Sequence, residues 1–418
     1  MAKKKVHKKA TDPKIIGHAL RNAWRNTNNN KELELIVSGT DRTRDVLSAM
    51  ISPYARISHV IESAGIISFK TDYEYANAML DAWLGEKNSL SRTYKSTFKS
   101  ITGIEPSMKL RHCSKNDFMK QDGAMPSRSD MWNLEMIGAY DAHGVSQGQG
   151  ASVAVIDTGA DYAHDEISHA FGSNKGVNIV TGTNDIYDRH GHGTHVSGTI
   201  AGKDTGVAPL ARLYAVKVFE DDYAYTSDVI AGIDWSIREG VNVINMSLGG
   251  PTPSPAMQAI IDVAVEKGIY VVAAAGNEGR GPSYPASCEE VVSVAALDAT
   301  KKHAYFSNIY HTNDISAPGV DILSCVPGGY RTASGTSMAS PHTAGGLALL
   351  VSHKKRDDYE GIIKENAEKL ADVPGEKYED VYGAGLLRVD ESLEYPATMA
   401  KILFSTKNVI KSIGKVIF

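Results

Sequence analysis

The 418-residue sequence predicts an α/β protein with a doubly wound, mostly parallel sheet and helices on both of its faces, preceded by a small α+β unit. The main observation is a series of apolar runs of strand length after about residue 150: ASVAVID, ARLYAVKVF, VNVINMSL, IYVVAAAG and EVVSVAAL. Helical stretches, Ser227 to Glu239 and Pro255 to Lys267, lie between some of them. Apolar runs spaced by helices indicate a parallel sheet buried on both faces.

The small unit at the front is predicted from its own alternation of patterns, and a ferredoxin-like arrangement is expected. Asp72 is a plausible N-cap, because its side chain can accept from the first free N–H groups of a helix. In chain order the predicted elements are a strand at Leu33 to Val37, a helix at 43 to 53, a strand at Gly65 to Phe69, a helix at Asp72 to Leu84 and a strand at Ile101 to Leu110.

Changes in composition divide the chain into five parts. The parts are a flexible basic N-terminus at 1–30, the small unit at 31–113, a polar linker with Gly and Pro at 114–130, the main domain at 131–394 and a basic amphipathic helix at 395–418. The net charge of −5 gives no indication of a nucleic-acid partner.

The cysteines and the N-terminus bear on the compartment. Cys113, Cys288 and Cys325 cannot form a closed disulfide framework, so buried thiols are expected, with a single bridge left open. No apolar run follows the basic start, and no window has the about 20 apolar residues of a membrane span. The protein is therefore expected to act inside the cell, to leave it by a route without a secretory signal, or to be a trimmed form.

Polar residues with catalytic chemistry stand where sites form in parallel sheets, at the carboxyl ends of strands. Asp157 follows SVAVI, Ser247 comes shortly after VNVIN, and Asn277 follows VVAAAG. His192 lies in GHGTHVSG. Ser337 lies in GTSMASP at the start of a helix, whose free N–H groups favour negative charge.

These motifs, in the order Asp, His, Ser, resemble the subtilisin-like serine protease (subtilase) family over about residues 130 to 393. The resemblance implies a serine endopeptidase that works through an acyl-enzyme. Ser337 would be the nucleophile, His192 its general base, Asp157 the group that orients His192, and Asn277 an oxyanion donor beside the N–H of Ser337. Taken singly, each residue has an ordinary explanation as a turn or capping residue.

Two other functions stay open at this point. One is an inactive subtilase-fold protein that binds or regulates, although all four chemical positions are filled. The other is a metal-dependent hydrolase that uses His190, His192 and His195 with Asp188. That alternative leaves Ser337 and Asn277 unexplained.

The resemblance also implies how a substrate binds, as an extended strand held by main-chain hydrogen bonds. The matching segments are Ser247, Leu248 and Gly249 on one side and Asp221 to Ala224, including Asp222, on the other. Ala274, Ala275 and Gly276 would line the first pocket, with Ser283 near its base. This pocket shows no obvious charge, so a neutral residue is expected before the cleaved bond. The acids at 220 to 222 would favour basic residues elsewhere in the peptide, unless they form only a solvated loop.

No cofactor is expected to be required. Many subtilases carry an asparagine-rich, calcium-binding insertion after the histidine helix, and Ala201 to Pro209 runs straight on instead. Structural calcium at other positions stays open, and no metal ligand is assigned.

The unit before residue 114 resembles the inhibitory propeptide of the family, with self-cleavage expected near Cys113 and Ser114. Cys113 would fill the first pocket and Leu110 the fourth, while Arg111 and His112 would meet the acids at 220 to 222. The alternative is a permanent accessory domain. The tail from Met399 to Phe418 would form a basic amphipathic helix that packs on its own domain, on a partner or on an anionic membrane.

Overall fold

The computed structural model describes residues 33–39, 50–51, 55–85, 90, 101–115, 126–220, 222–353 and 358–393. The predicted flexible N-terminus and the predicted tail helix lie outside these ranges, as do most of the predicted helix at 43 to 53 and much of the predicted linker. The chain divides into two compact units. One contains residues 1–109, 225–234 and 254–263, and the other contains 110–224, 235–253 and 264–418.

The first unit contains a four-stranded antiparallel sheet in the order β2-β3-β1-β4. Its elements are β1 (Leu33–Gly39), β2 (Arg56–Ile61), β3 (Ile66–Thr71), α1 (Tyr73–Trp83) and β4 (Ile101–Pro106). Apolar side chains of the sheet and helix, such as Leu35, Phe69 and Met79, form its core. The predicted N-cap is confirmed, because Asp72 Oδ1 accepts from the N–H of Tyr75 at 2.8 Å.

The single strand predicted from Ile101 to Leu110 is wrong, because the chain there forms two strands of different sheets. β4 ends at Pro106, which has no N–H to donate. The N–H of Ser107 still bonds to the carbonyl of Glu34 at 2.8 Å, but the carbonyl of Met108 accepts from Thr226 at 2.9 Å. The next strand, β5 (Lys109–His112), lies between β12 (Leu248–Gly249) and β10 (Tyr223–Tyr225) in a second four-stranded sheet.

The remaining elements include a seven-stranded parallel sheet in the order β15-β14-β13-β11-β6-β8-β7. In chain order they are α2 (Trp132–Met136), α3 (Ala139–Ala142), β6 (Ser152–Asp157), β7 (Gly176–Asn178), α4 (His192–Ala201), β8 (Arg212–Lys217), β9 (Phe219–Glu220), β10 (Tyr223–Tyr225), α5 (Thr226–Glu239), β11 (Val243–Met246), β12 (Leu248–Gly249), α6 (Pro255–Glu266), β13 (Tyr270–Ala274), β14 (Val291–Leu297), β15 (Ile315–Pro318), β16 (Ile322–Val326), β17 (Gly329–Ala333), α7 (Thr336–His353), α8 (Tyr359–Glu365) and α9 (Tyr378–Tyr382).

The α/β prediction is confirmed, since all five apolar runs form neighbouring strands of the parallel sheet and the two predicted helices are α5 and α6. The sheet has two further strands, β7 and β15, at its edges. They have three and four residues, too few for a recognisable pattern. None of the helices within the described ranges has the length and apolar character needed to cross a membrane.

The order of the strands in the parallel sheet brings the candidate catalytic residues close together. β6 lies beside β11, and β11 lies beside β13. Asp157 ends β6, while Ser247 and Asn277 follow β11 and β13, so all three lie at the carboxyl ends of neighbouring parallel strands. Helices α4 and α7 begin at this end of the sheet with His192 and Ser337 in their first turns. Residues 336 to 350 of α7 are all buried, which explains why this helix shows no amphipathic pattern.

Candidate active site

Asp157 and His192 form a buried pair. Both side chains are fully buried, and His192 Nδ1 lies 2.7 Å from Asp157 Oδ1. The same carboxylate oxygen accepts from the N–H of Thr158 at 2.7 Å. This arrangement holds Nδ1 of the imidazole against the carboxylate, so Nε2 lies on the side of the ring that faces away from Asp157.

The start of α4 is held by Asp188, whose structural importance the sequence analysis missed. Its carboxylate accepts from the N–H groups of His190, Gly191 and Thr194, each at 2.9 Å, and from the Thr194 hydroxyl at 2.7 Å. Burial raises the pKa of Asp188, but these hydrogen bonds outweigh it and the pKa is lowered. The carboxylate therefore fixes the turn from which His192 projects.

Glycine is required beside His192. A Cβ on Gly193 would lie 2.2 Å from the carbonyl oxygen of Gly159 and 3.1 Å from Asp157 Oδ1. The space that a side chain would need is occupied by the strand end that carries Asp157. The GHG motif thus reflects the close approach of α4 to β6.

Ser337 is fully buried near the N-terminus of α7. Its Oγ donates to the carbonyl oxygen of Ser247 at 2.7 Å. The preceding Gly335 has a φ of 153°, and a Cβ there would lie 2.3 Å from the carbonyl oxygen of Cys113. The small residues around Ser337 therefore make room for another segment of backbone.

Ser247 has a second contact with the serine helix. Pro341 lies in α7 and has no N–H, so the carbonyl of Ser337 lacks its usual partner one turn later. The hydroxyl of Ser247 donates to that carbonyl at 2.9 Å instead. Ser247, predicted only as a substrate-binding residue, thus also completes the hydrogen bonding of the helix that carries Ser337.

Asn277 is oriented by Thr336. Its Oδ1 accepts from the N–H and the hydroxyl of Thr336, both at 3.0 Å. Its Nδ2 is buried and has no hydrogen-bond partner among the described residues. A buried donor without a partner is costly in a folded protein, which is typical of a group reserved for a ligand or a reaction.

The segment from Arg111 to Cys113 pairs with β12 as an added strand and ends beside Ser337. The groove that holds this segment is called the cleft below. Arg111 and His112 pair antiparallel with Gly249 and Leu248, and the N–H of Cys113 donates to the carbonyl of Ser247 at 3.1 Å. The carbonyl of Cys113 accepts from the N–H of Ser337 at 3.0 Å. The chain's own backbone therefore lies beside Ser337 as an extended strand.

The side chain of Cys113 is buried near the residues predicted for the first pocket. A Cβ on Gly249 would lie 2.2 Å from Ser283 Oγ and 3.5 Å from Cys113 Sγ, so these three residues meet closely. Ala274, Ala275 and Gly276 are buried beside them. Gly276 donates its N–H to the hydroxyl of Thr336 at 3.2 Å, which fixes the pocket wall to α7.

An exposed acid, Glu278, lies beside the residues predicted for the first pocket. Glu278 Oε2 accepts from the N–H of Asn277 at 2.9 Å and from Asn308 Nδ2 at 3.2 Å. Burial, followed by the charge of Glu278, raises the pKa of the Cys113 thiol. The missed signal was the acid directly after Asn277, which lies on a turn and was not assigned to the pocket.

His112 packs within a group of imidazoles. Its ring centroid lies 4.9 Å from those of His190 and His192 and 6.2 Å from that of Phe219. Burial, with the nearby His192, His190 and Arg111, lowers the pKa of His112 to about 3. His112 is thus neutral in this position at physiological pH.

Arg111 has a contact that was not predicted. Its Nη2 donates to the hydroxyl of Tyr223 at 2.7 Å, and the predicted meeting of Arg111 and His112 with the acids at 220 to 222 stays a prediction. Asp222 is exposed, Asp221 lies outside the described residues, and the side chain of Glu220 is not described.

The residues of the alternative metal site have separate protein contacts. His195 Nε2 lies 2.9 Å from the carbonyl of Ile322 and 3.1 Å from that of Arg331, and its burial lowers its pKa to about 3. Asp188 is engaged by the start of α4. Within the residues that the structure describes, no group of three or more His, Cys, Asp or Glu side chains is arranged to hold a metal ion.

The loop after α4 is held by a carboxylate at the place where many subtilases carry the asparagine-rich insertion. Glu166 Oε1 accepts from the N–H groups of Asp204 and Thr205 at 2.7 and 2.8 Å and from the Thr205 hydroxyl at 3.0 Å. Glu166 Oε2 accepts from the hydroxyl of Tyr330 at 3.0 Å. The side chain is buried, and these donors satisfy both of its oxygens.

Comparison with known proteins gives the same assignment as the motifs. The subtilase family (peptidase S8) matches residues 148–385. Subtilisin NAT of Bacillus subtilis subsp. natto is 40% identical over 259 residues, which are 59% of this chain and 66% of that protein. Subtilisin of Bacillus pumilus is also 40% identical over 259 residues, which are 92% of that protein.

A solved structure extends the comparison. Fervidolysin from Fervidobacterium pennivorans, a keratinolytic enzyme related to subtilisin, has a TM-score of 0.71 and 26% sequence identity, covering 88% of this chain and 62% of that one. With the match to the family over more than half of its length, the chain belongs to the subtilase family of serine peptidases.

Proposed function

We propose that the protein is a serine endopeptidase made as a precursor that cleaves itself between Cys113 and Ser114. The hydrogen bond from the N–H of Ser337 to the carbonyl oxygen of Cys113, 3.0 Å, is the observation that carries this proposal. It places the carbonyl group of a specific peptide bond beside the serine that the family motif marks as the nucleophile.

In the proposed reaction, Ser337 Oγ leaves its hydrogen bond to Ser247 and attacks the carbonyl carbon of Cys113. His192 accepts the hydroxyl proton, and Asp157 stabilises the imidazolium that results. The oxyanion accepts hydrogen bonds from the N–H of Ser337 and from Asn277 Nδ2. His192 then protonates the amine of Ser114 as the C–N bond breaks, and water hydrolyses the ester between Ser337 and Cys113.

The segment up to Cys113 then remains as a product in the cleft until it dissociates or is degraded. Its two pairings with β12 and the buried Cys113 support a role as an inhibitor of the same cleft. Protein or peptide substrates would bind in the same register, with a small neutral side chain before the cleaved bond because of the close wall formed by Gly249 and Ser283.

The test is intact mass and N-terminal sequencing of the purified wild type beside Ser337→Ala. The proposal expects a new N-terminus at Ser114 in the wild type only, and labelling of Ser337 by a fluorophosphonate after processing. If both proteins are cut alike, another protease does the processing. If both stay whole and Ser337 is not labelled, the protein is not an active serine peptidase.

A further inference from the structure

The strand β10 presents two tyrosines that neither the family motifs nor the catalytic site explains. Tyr223 and Tyr225 flank Ala224, which is fully buried, and both tyrosines are half-buried. Since side chains alternate along a strand, the two rings project from the same face. In the sheet order β10 lies directly beside β5, the strand that runs into the cleft.

Tyr223 makes two kinds of contact with Arg111. Arg111 Nη2 donates to the Tyr223 hydroxyl at 2.7 Å, and the guanidinium carbon lies 4.8 Å from the centroid of the ring. A cation at this distance from an aromatic ring is attracted by its π electrons, and the planar guanidinium suits such a contact better than an ammonium.

A second contact between a cation and a tyrosine ring occurs two residues earlier in the chain. Lys109 Nζ lies 5.9 Å from the centroid of the Tyr225 ring. The residue between the two cations, Leu110, is buried. Side chains alternate between the two faces of β5, so Lys109 and Arg111 lie on one face and Leu110 on the other. The two cations are the side chains that contact the tyrosines.

We propose that Tyr223 is a specificity-determining residue that selects an arginine at the third position before the cleaved bond. The inference rests on the proposed function, because a substrate takes the place of the segment ending at Cys113. Arg111 is the third residue before the proposed cleavage and pairs with Gly249 as a substrate residue at that position would. Exposed Asp222, the neighbour of Tyr223, adds negative charge that favours the same side chain.

The experiment compares two fluorogenic peptides, Leu-Arg-His-Ala and Leu-citrulline-His-Ala, each with a coumarin amide leaving group. Citrulline has nearly the shape of arginine and no charge. For processed wild type we expect kcat/KM to be about tenfold higher for the arginine peptide, from one exposed cation–π contact and one charge-assisted hydrogen bond. The ratio should fall to about twofold or less in Tyr223→Leu and take an intermediate value in Tyr223→Phe, which keeps the ring.

Tyr305→Leu is the matched control, because Tyr305 is 87% exposed and its ring contacts Phe306. It should keep the wild-type ratio. Raising the salt concentration separates contact from long-range attraction, since the effect of Asp222 is screened while the contact with Tyr223 is largely retained. A wild-type ratio near one, or a tenfold ratio that persists in Tyr223→Leu, would overturn the inference.

Failure of the inference and failure of the proposed function give different results. If Ser337 is labelled and the citrulline peptide is cleaved as well as the arginine peptide, only the inference is wrong. If neither peptide is cleaved and Ser337 is not labelled, the proposed function is wrong. A double-mutant cycle of melting temperature in the intact chain, with Arg111→Gln and Tyr223→Leu, tests the contact itself without catalysis: non-additive changes support it, and additive changes refute it and the inference with it.

Discussion

The N–H of Ser337 donates to the carbonyl oxygen of Cys113 at 3.0 Å, which joins the first turn of α7 to the end of the segment in the cleft. A carbonyl oxygen at this donor is already in the place where an oxyanion would form during acyl transfer. This hydrogen bond implies a specific role for each surrounding residue, and a substitution can test each role.

Asn277→Ala is expected to slow self-processing of the intact chain by 10²- to 10³-fold. The loss, about 2.7–4 kcal/mol of transition-state stabilisation, is a magnitude known for the oxyanion donor of subtilisin itself. The measurement is the rate at which the Ser114 N-terminus appears, at several protein concentrations to separate intramolecular from intermolecular cleavage.

Asn277→Asp is the companion variant. It keeps the oxygen that accepts from Thr336 but replaces the Nδ2 donor. It should process at least as slowly as Asn277→Ala. Processing of Asn277→Asp at the wild-type rate would show that Nδ2 has no part in the reaction.

Asp157→Asn is expected to lower the processing rate by about 10⁴-fold, because an amide donor facing His192 Nδ1 stabilises the tautomer that cannot accept the serine proton. The same rate assay measures it, and near-ultraviolet circular dichroism checks that the fold is kept. The exposed Asp141, changed to Asn, is the control and should process normally. A loss of less than tenfold in Asp157→Asn would contradict the assigned role.

Binding of the segment to the cleft is expected to weaken in acid because of His112. In the cleft its pKa is about 3, against an ordinary value of 6.5, so the bound form is neutral. Affinity is therefore full above pH 6.5 and falls as the pH decreases from 6.5 towards 3, by up to about tenfold per pH unit for one proton. His190, whose pKa is also lowered, chiefly by burial and then by His192, adds to the loss if it protonates on the same face.

The measurement is competitive inhibition of the processed enzyme by the peptide acids Leu-Arg-His-Ala and Leu-Arg-Gln-Ala between pH 7.5 and 5. The glutamine peptide keeps a polar side chain but does not titrate. Its affinity should change less than that of the histidine peptide over this range. Identical pH profiles would show that His112 does not control release.

Glu166→Gln is expected to lower the free energy of unfolding by about 1–3 kcal/mol, because a buried acceptor for four donors becomes an amide that serves fewer of them. Tyr330→Phe, which removes one donor, should cost about 0.5–1.5 kcal/mol. Denaturant unfolding in the Ser337→Ala background avoids self-digestion. Asp165→Asn, at the exposed neighbouring position, is the control, and a Glu166→Gln variant as stable as this control would refute the role of Glu166.

Much of the architecture follows from patterns that are local in the chain. The five apolar runs and the two amphipathic helices have the lengths and periods of the elements that they form, and Asp72 caps the helix that it was predicted to cap. Strands β7 and β15 escaped prediction because their neighbours in the sheet, and not their own three or four residues, make them strands. The break after Pro106 was missed because both halves have the composition of one strand.

For the site, the sequence by itself singled out the four candidate chemical residues, because their motifs place glycine and small residues at fixed offsets from them. Only the tertiary structure decided what each side chain contacts: Asp188 with the start of α4, Ser247 with the carbonyl left open by Pro341, Glu278 with the N–H of Asn277, and Tyr223 with Arg111. These partners are far apart in the chain, and their meeting depends on strand order and on close packing, which no local pattern of residues records.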